Sequence, residues 1–109
     1  TQIKAGSENT NTKVFGVWPS WTDIRNYEML HGRMFTLDEN KKRAKVAVLG
    51  HDVYKLLFPM GGDPSGSLIR INNVGVTVIG VFKPKGNSGN MNNDDMVAVP
   101  ALTAQKRLF

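Results

Sequence analysis

The nine residues VGVTVIGVF, Val74 to Phe82, constrain this chain more than any other stretch. They form its longest near-continuous apolar run, which has the length of a buried strand and falls far short of the roughly 20 residues a membrane-spanning helix needs. SLIRI stands just before them, separated only by Asn72 and Asn73. Paired asparagines tolerate the positive φ of a tight hairpin turn, so the two segments are predicted to pair, with Ile69 and Ile71 facing Val74, Val76 and Val78. Gly80 interrupts the run and is expected to mark a bulge or a point where another segment comes close.

Around this hairpin the hydrophobic periods place the other elements. TQIKA and KVFGVW flank the turn-rich GSENTN, so residues 1 to 18 read as a hairpin. PSWTDIRNYEMLHG reads as a helix capped by Ser20 or Thr22, with Asp23 in its first turn. Trp21, Ile24, Tyr27 and Leu30 recur near the helical period, and Gly32 is its stop. TLDENKKRAK reads as a charged loop, VAVLG as a buried strand, and HDVYKLLF as a short helix ended by Pro59. After the loop MGGDPSG and the central hairpin, MVAV is a strand and Pro100 suits a helix start. ALTAQKRLF then stops inside a helical pattern, as expected of a piece of something larger. The fold class implied is α+β: a single domain, residues 1–109, with a small mixed, mainly antiparallel β-sheet of about five or six strands and two or three short helices packed on it.

A chain of 109 residues supports one modest core. Its 14 Lys and Arg outweigh 9 Asp and Glu, a net charge of +5 that suits either a solubilising surface or attraction to nucleic acid or an anionic membrane. There is no cysteine, hence neither a disulfide framework nor a thiolate site. The polar opening TQIKAGSENTNTK carries no signal-peptide pattern, so the chain by itself is expected to be soluble.

Motifs that resemble chemical sites each lack a necessary part. GGDPSGS has the glycine spacing of a phosphate loop, but Ser67 stands where the lysine is needed and a strand follows instead of a helix. KPKGNSGNMNNDD, Lys83 to Asp95, resembles a ligand cradle. Read as a calcium loop from Asn90, it supplies Asn92 and Asp94 but has Asp95 in place of the turn glycine and Ala101 in place of the bidentate glutamate. Its GNSG has the spacing of an RNA-clamping loop yet follows a strand and a proline. The stretch is therefore expected to be an exposed loop, with Asp94 and Asp95 in a solvated turn and Met91, its large apolar residue, suited to contact with another protein. His31 and His51 lack zinc spacing and read as surface or capping residues. Lys41, Lys42, Arg43 and Lys45 adjoin Asp38 and Glu39 with no interleaved aromatic, which favours a solvated loop. Trp18 and Trp21 bracket a strand-to-helix junction, where core packing outranks ligand stacking. No nucleophile, base and oxyanion donor can be assembled by motif, so no enzyme is expected, and no catalytic, metal or cofactor-binding residue is assigned.

The succession VFGVWPSW, HGRMFT, AKVAVLGHDVYKLLFP, GDPSGSLIRINNVGVTVIGVFKPKG, NNDDMVAVP and LTAQKRLF resembles the extracytoplasmic core domain of MacB-type (MacB/FtsX-like) ABC transporter permeases, from Lys13 onward. The resemblance assigns architectural roles. Gly32, Arg33 and Phe35 match a GRxF turn after the first helix, with Phe35 folding back onto the core. Gly50 ends the VAVLG strand, while Leu57 and Phe58 close the next helix. Asp63, Pro64 and Gly66 match a DPxG turn, and Asp94, Asp95 and Pro100 frame the last strand.

The resemblance further implies a domain outside the cytoplasmic membrane, of which this chain is the middle subdomain, with the membrane helices and ATPase domain of the permease as partners. Its implied function is non-catalytic: it transmits conformational change in an efflux or related permease and contacts a periplasmic adaptor, with an outer-membrane channel beyond. No cofactor and no nucleic acid are expected; the parent would be dimeric and this fragment monomeric. Candidate partner-contact residues are Trp18, Trp21, Lys85, Asn87 and Met91. The alternative, from charge and strand content, is a small basic β-rich module that binds nucleic acid or polyanions.

Overall fold

The computed structural model describes residues 1–85, 87–88 and 91–108, with side-chain surroundings for 1–85 and 93–106. The elements follow in the order β1 (Gln2–Ala5), β2 (Glu8–Asn11), β3 (Lys13–Val17), α1 (Trp21–Arg25), β4 (Met29–Gly32), α2 (Leu37–Lys41) and β5 (Val46–Leu49). Then come α3 (His51–Leu57), β6 (Leu68–Ile71), β7 (Val74–Phe82), β8 (Asn87–Ser88), β9 (Met91–Asn92), β10 (Met96–Pro100) and α4 (Ala101–Thr103), which runs into a π-helical turn over Ala104–Leu108. Eight strands form one sheet in the order β2-β1-β6-β7-β5-β10-β3, with β4 paired to β7 off this path, while β8 and β9 form a separate hairpin. The β5–β7 and β10–β3 ladders are parallel and the others antiparallel. The class is the expected α+β with a mixed, mainly antiparallel sheet, but among the described residues the main sheet holds eight strands rather than five or six, and the α-helices number four.

The central hairpin forms as its sequence dictates. Asn72 and Asn73 adopt φ of 51° and 67°, and the register pairs Ile71 with Val74 and Ile69 with Val76. Gly80 is both bulge and close-approach point. The β5 register passes from Ala47↔Val78 to Val48↔Gly80, skipping one residue of β7. A Cβ on Gly80 would lie 2.6 Å from Met29 Cε and 2.7 Å from the Arg33 carbonyl oxygen. The extra residue reverses the alternation of side chains. Val76, Val78 and Val81 therefore join one core, while Ile79 and Phe82 join the other. This is why the run is apolar at nearly every position and not at every second one.

The first core packs Ile3, Leu49, Ile69, Ile71 and Val97 of the sheet under Val53 and Leu57 of α3. The second groups Val17, Phe35, Val48, Phe82, Met96 and Ala98, with Trp21 of α1, Tyr27, Met29 and Met34 packed against it. Burying each such side chain contributes roughly 1.5–3 kcal/mol. Phe35 is buried, as the GRxF turn implied.

Three sequence expectations change. β1 pairs not with KVFGV but with ENTN inside the supposed spacer, turning at Gly6 and Ser7 so that Ala5 faces Glu8. KVFGV becomes β3 and pairs in parallel with β10 at the opposite end of the sheet. The helix expected to reach Gly32 ends at Arg25, where Asn26 takes a left-handed conformation (φ 59°), and Met29–Gly32 is instead a strand against β7. TLDENKKRAK contains α2, opened by a capping box in which Thr36 Oγ1 accepts the Glu39 N–H and the Glu39 carboxylate accepts the Thr36 N–H. Glu39 also receives both guanidinium nitrogens of Arg33, at 2.7 and 3.0 Å. The Arg33 hydrogen bonds, aided by those from Thr36, pull the Glu39 carboxyl down to about 2. Among the described residues no helix is long and apolar enough to cross a membrane.

Candidate interaction cleft

Alternation along β3 sends Lys13, Phe15 and Val17 to the face of the second core, beside Met96 and Ala98 of the paired β10. β3 ends the sheet, so this face reaches its edge there. Helix α1 and the residues after it cover only part of that face. A cleft of about 430 Å³ remains, lined by Lys13, Phe15, Trp21, Arg25, Tyr27 and Met96 among others. Its aromatic wall is held from behind. Trp21 stacks on Tyr27 with ring centroids 4.7 Å apart, and Tyr27 packs on the buried Phe82 at 4.8 Å. Ring pairs of this kind contribute about 0.5–1.5 kcal/mol beyond the area they bury.

Polar contacts fix the same wall. The Tyr27 hydroxyl donates to the Asn93 carbonyl at 2.6 Å. Lys85 Nζ lies 4.9 Å from the centre of the Tyr27 ring, a cation–π contact, and donates to the Arg25 carbonyl. Burial raises the Tyr27 phenol above its ordinary range, with the Arg25 charge opposing and the Asp94 charge reinforcing the shift. The cleft therefore combines a rigid stacking surface with the cations Lys13 and Arg25, and Lys85 lies over the Tyr27 ring. The carboxylate at its rim, Asp95, already accepts a hydrogen bond from the Thr12 hydroxyl at 2.6 Å. Such an arrangement suits an apolar or aromatic group flanked by negative charge.

The candidate contact residues divide. Trp21 and Lys85 meet at the Tyr27 wall. Trp18 is not the core residue its position suggested, for it is 50% exposed and tied to α1 through its carbonyl, which accepts the Trp21 N–H at 2.9 Å. Asn87 and Met91 belong to the β8–β9 hairpin, where Asn87 pairs with Asn92 and Met91 with Ser88, and their side chains lie outside the described residues. Sequence reasoning missed Phe15, Lys13, Arg25 and Tyr27 as parts of one site. Phe15 carried a signal, an aromatic on a short strand next to a glycine, but only the long-range β3–β10 pairing shows which face it occupies.

The acidic pair needs one correction. Asp94 is 6% exposed rather than solvated, and its Oδ1 accepts the Lys85 N–H at 2.7 Å. Asp94 ties down the base of the glycine-rich stretch, as an architectural residue does. His31 and His51 flank Tyr54, with ring centroids 5.9 and 5.8 Å from it. Among the described residues, no group of three or more His, Asp or Glu could hold a metal ion.

Solved structures share this fold. The periplasmic region of MacB from Actinobacillus actinomycetemcomitans matches 98% of this chain and 46% of its own with a TM-score of 0.83 at 19% identity. The extracellular domain of the noncanonic ABC-type transporter YknZ from Gram-positive bacteria matches 97% of this chain and 52% of its own with a TM-score of 0.81, also at 19% identity. At those identities the likeness is one of fold.

Sequence similarity reaches further. The macrolide export ATP-binding/permease protein MacB of Bdellovibrio bacteriovorus is 42% identical over 108 residues, 99% of this chain and 16% of that protein. The pyoverdine export ATP-binding/permease protein PvdT of Pseudomonas syringae pv. syringae is 33% identical over 98% of this chain and 16% of its own length. The chain belongs to the MacB-like periplasmic core domain family, whose family model matches residues 1–109. It spans 16% of the length of these two relatives and about half of the solved structures.

Proposed function

We propose that this chain is a non-catalytic extracytoplasmic portion of a MacB-type export permease. There it passes conformational change, driven by ATP hydrolysis in the cytoplasm, to a periplasmic adaptor, with an outer-membrane channel beyond. Family membership over residues 1–109 supports its place in such a permease, and the export proteins among its relatives support the direction of transport. The two-core sheet supports mechanical transmission, because β7 contributes to both cores and a displacement of one face is carried to the other. In this reading the parent pairs through its membrane and ATPase parts, and the chain alone is monomeric.

The observation that carries the contact reading is the cleft beside β3. An exposed aromatic set on a rigid backing, with cations at hand and a sheet edge alongside, is the kind of surface that anchors a protein partner. Trp18, Trp21, Lys85, Asn87 and Met91, joined by Phe15, are the proposed contact residues. The reading as a nucleic-acid module lacks comparable support, since within the basic cluster Lys42 is paired with Asp38 at 2.9 Å. A photo-cross-linking residue at position 18 of the full-length permease, in membranes that also hold its adaptor, should capture the adaptor. The same residue at position 56, exposed on α3, should not. Equal capture from both positions, or none from position 18, counts against the proposed surface.

A further inference from the structure

At the other end of the sheet, far along the strand order from the cleft, two cations stand directly opposite each other. Lys4 of β1 pairs in register with Arg70 of β6. Like charges in that position repel and destabilise a ladder. Both are exposed and, among the described residues, neither takes part in an ion pair.

Their neighbours offer no relief. Across β1, Lys4 faces Asn9 of β2, and across β6, Arg70 faces Gly75 of β7, which has no side chain. Glu8, the carboxylate of β2, pairs with Ala5, and alternation turns it to the opposite face from Lys4. Along the strands the same face continues with Gln2, whose backbone carbonyl accepts the Asn72 N–H at 3.4 Å. A small pocket of about 90 Å³ opens here, lined by Gln2, Lys4, Arg70, Asn72 and Asn73. Every side chain lining it can donate a hydrogen bond, and two are positively charged.

We propose that this pocket is a binding site for a tetrahedral oxyanion of the phosphate class, held by Lys4 and Arg70 with the amides of Gln2, Asn72 and Asn73 around it. The planar guanidinium supplies paired donors and the ammonium a point charge, and a bound oxyanion relieves their mutual repulsion. The paired asparagines are placed by the hairpin turn, whose positive φ at both positions sets them at the pocket rim. The phosphate belongs either to a free ion or phosphorylated solute, or to a lipid headgroup. The site is independent of the cleft at β3 and of the adaptor contact proposed there.

The test titrates the 109-residue chain with inorganic phosphate against sodium chloride at matched ionic strength, following backbone amide shifts, and compares wild type with the doubly substituted Lys4→Gln, Arg70→Gln chain. Both positions are exposed, so the double variant keeps its fold, which its remaining amide spectrum checks. Saturable shifts at residues 2–4 and 70–73 are expected in phosphate, with affinity lowered about tenfold or more in the variant, as loss of charge-assisted hydrogen bonds requires. Flotation with phosphatidylglycerol vesicles, against phosphatidylcholine alone, separates the sources. Variant-sensitive flotation on the anionic vesicles assigns the phosphate to lipid, and phosphate binding without flotation assigns it to a solute; either supports the site. The proposal is overturned if neither probe gives a response above chloride, or if both responses survive unchanged in the double variant.

Discussion

Asp94 Oδ1 accepts the backbone N–H of Lys85 at 2.7 Å, a bond that ties together the two sides of the glycine-rich stretch. The carboxylate is buried, so its removal leaves an amide donor without its acceptor. Asp94→Ala should therefore lower stability by roughly 1–3 kcal/mol. Asp95→Ala, at an exposed position bonded to Thr12, should lower it by less than about 1 kcal/mol. Urea unfolding of the two variants compares them, and equal losses would contradict the architectural role given to Asp94. Added calcium should leave the melting temperature of the wild type unchanged.

What could be read from the sequence was what local pattern decides. The β6–β7 hairpin, β5, α3 and β10 followed from apolar runs, paired asparagines and breakers close to them in the chain. β2 is four polar residues on the sheet's edge, where no apolar alternation is required, so ENTN gave no sign of being a strand. Met29–Gly32 continued a helical spacing, and only pairing with the far end of β7 makes it extended. The Thr36 and Glu39 capping box was a local signal that the charge of its surroundings concealed. The cleft was half legible: Trp21 and Lys85 drew notice as residues, and Tyr27 is close to Trp21 in the chain, but Lys85 and Phe15 reach that wall only through contacts between distant segments.

Glu39 links stability to pH. Its carboxyl drops from an ordinary 4.5 to about 2 in the folded chain, chiefly through the Arg33 hydrogen bonds. A carboxyl depressed on folding stabilises the fold above its unfolded pKa, and that contribution fades as pH falls from about 4.5 toward 2. Because Arg33 is largely exposed, solvent screening keeps the contribution modest. Glu39→Gln should be less stable than wild type by about 1 kcal/mol at neutral pH, with the gap closing across that acid window. Melting temperatures of both proteins over that range would show it, and a gap independent of pH would contradict it.

Gly32 combines a φ of 67° with a backbone neighbour, for a Cβ there would lie 2.0 Å from the Ile79 carbonyl oxygen. Gly6 has a similar φ of 60° but open space around it. Gly6→Ala should cost roughly 1 kcal/mol, the conformational penalty alone. Gly32→Ala should exceed it by a further ~1–3 kcal/mol, since β4 must shift away from β7. Thermal unfolding of the pair decides, and similar losses would show that β4 yields freely.

Asn40 is fully buried on α2, and its Oδ1 accepts the Leu102 N–H at 3.0 Å, which fixes α2 to α4. Asn40→Ala should destabilise by roughly 1–3 kcal/mol and raise amide exchange in α4 more than in α3. Uniform exchange in both helices would place the bond elsewhere in the stability of the fold.

The central claim is that the cleft face beside β3 meets the adaptor, and adaptor-stimulated ATP hydrolysis by the full-length permease tests it most directly. Phe15→Ser with Trp18→Ser removes an exposed aromatic that lines the cleft and the exposed aromatic just before α1. Basal hydrolysis should stay at the wild-type rate, while the adaptor concentration for half-maximal stimulation rises about tenfold or more, the scale of losing an interface anchor. Unchanged half-saturation in a folded variant would contradict the account.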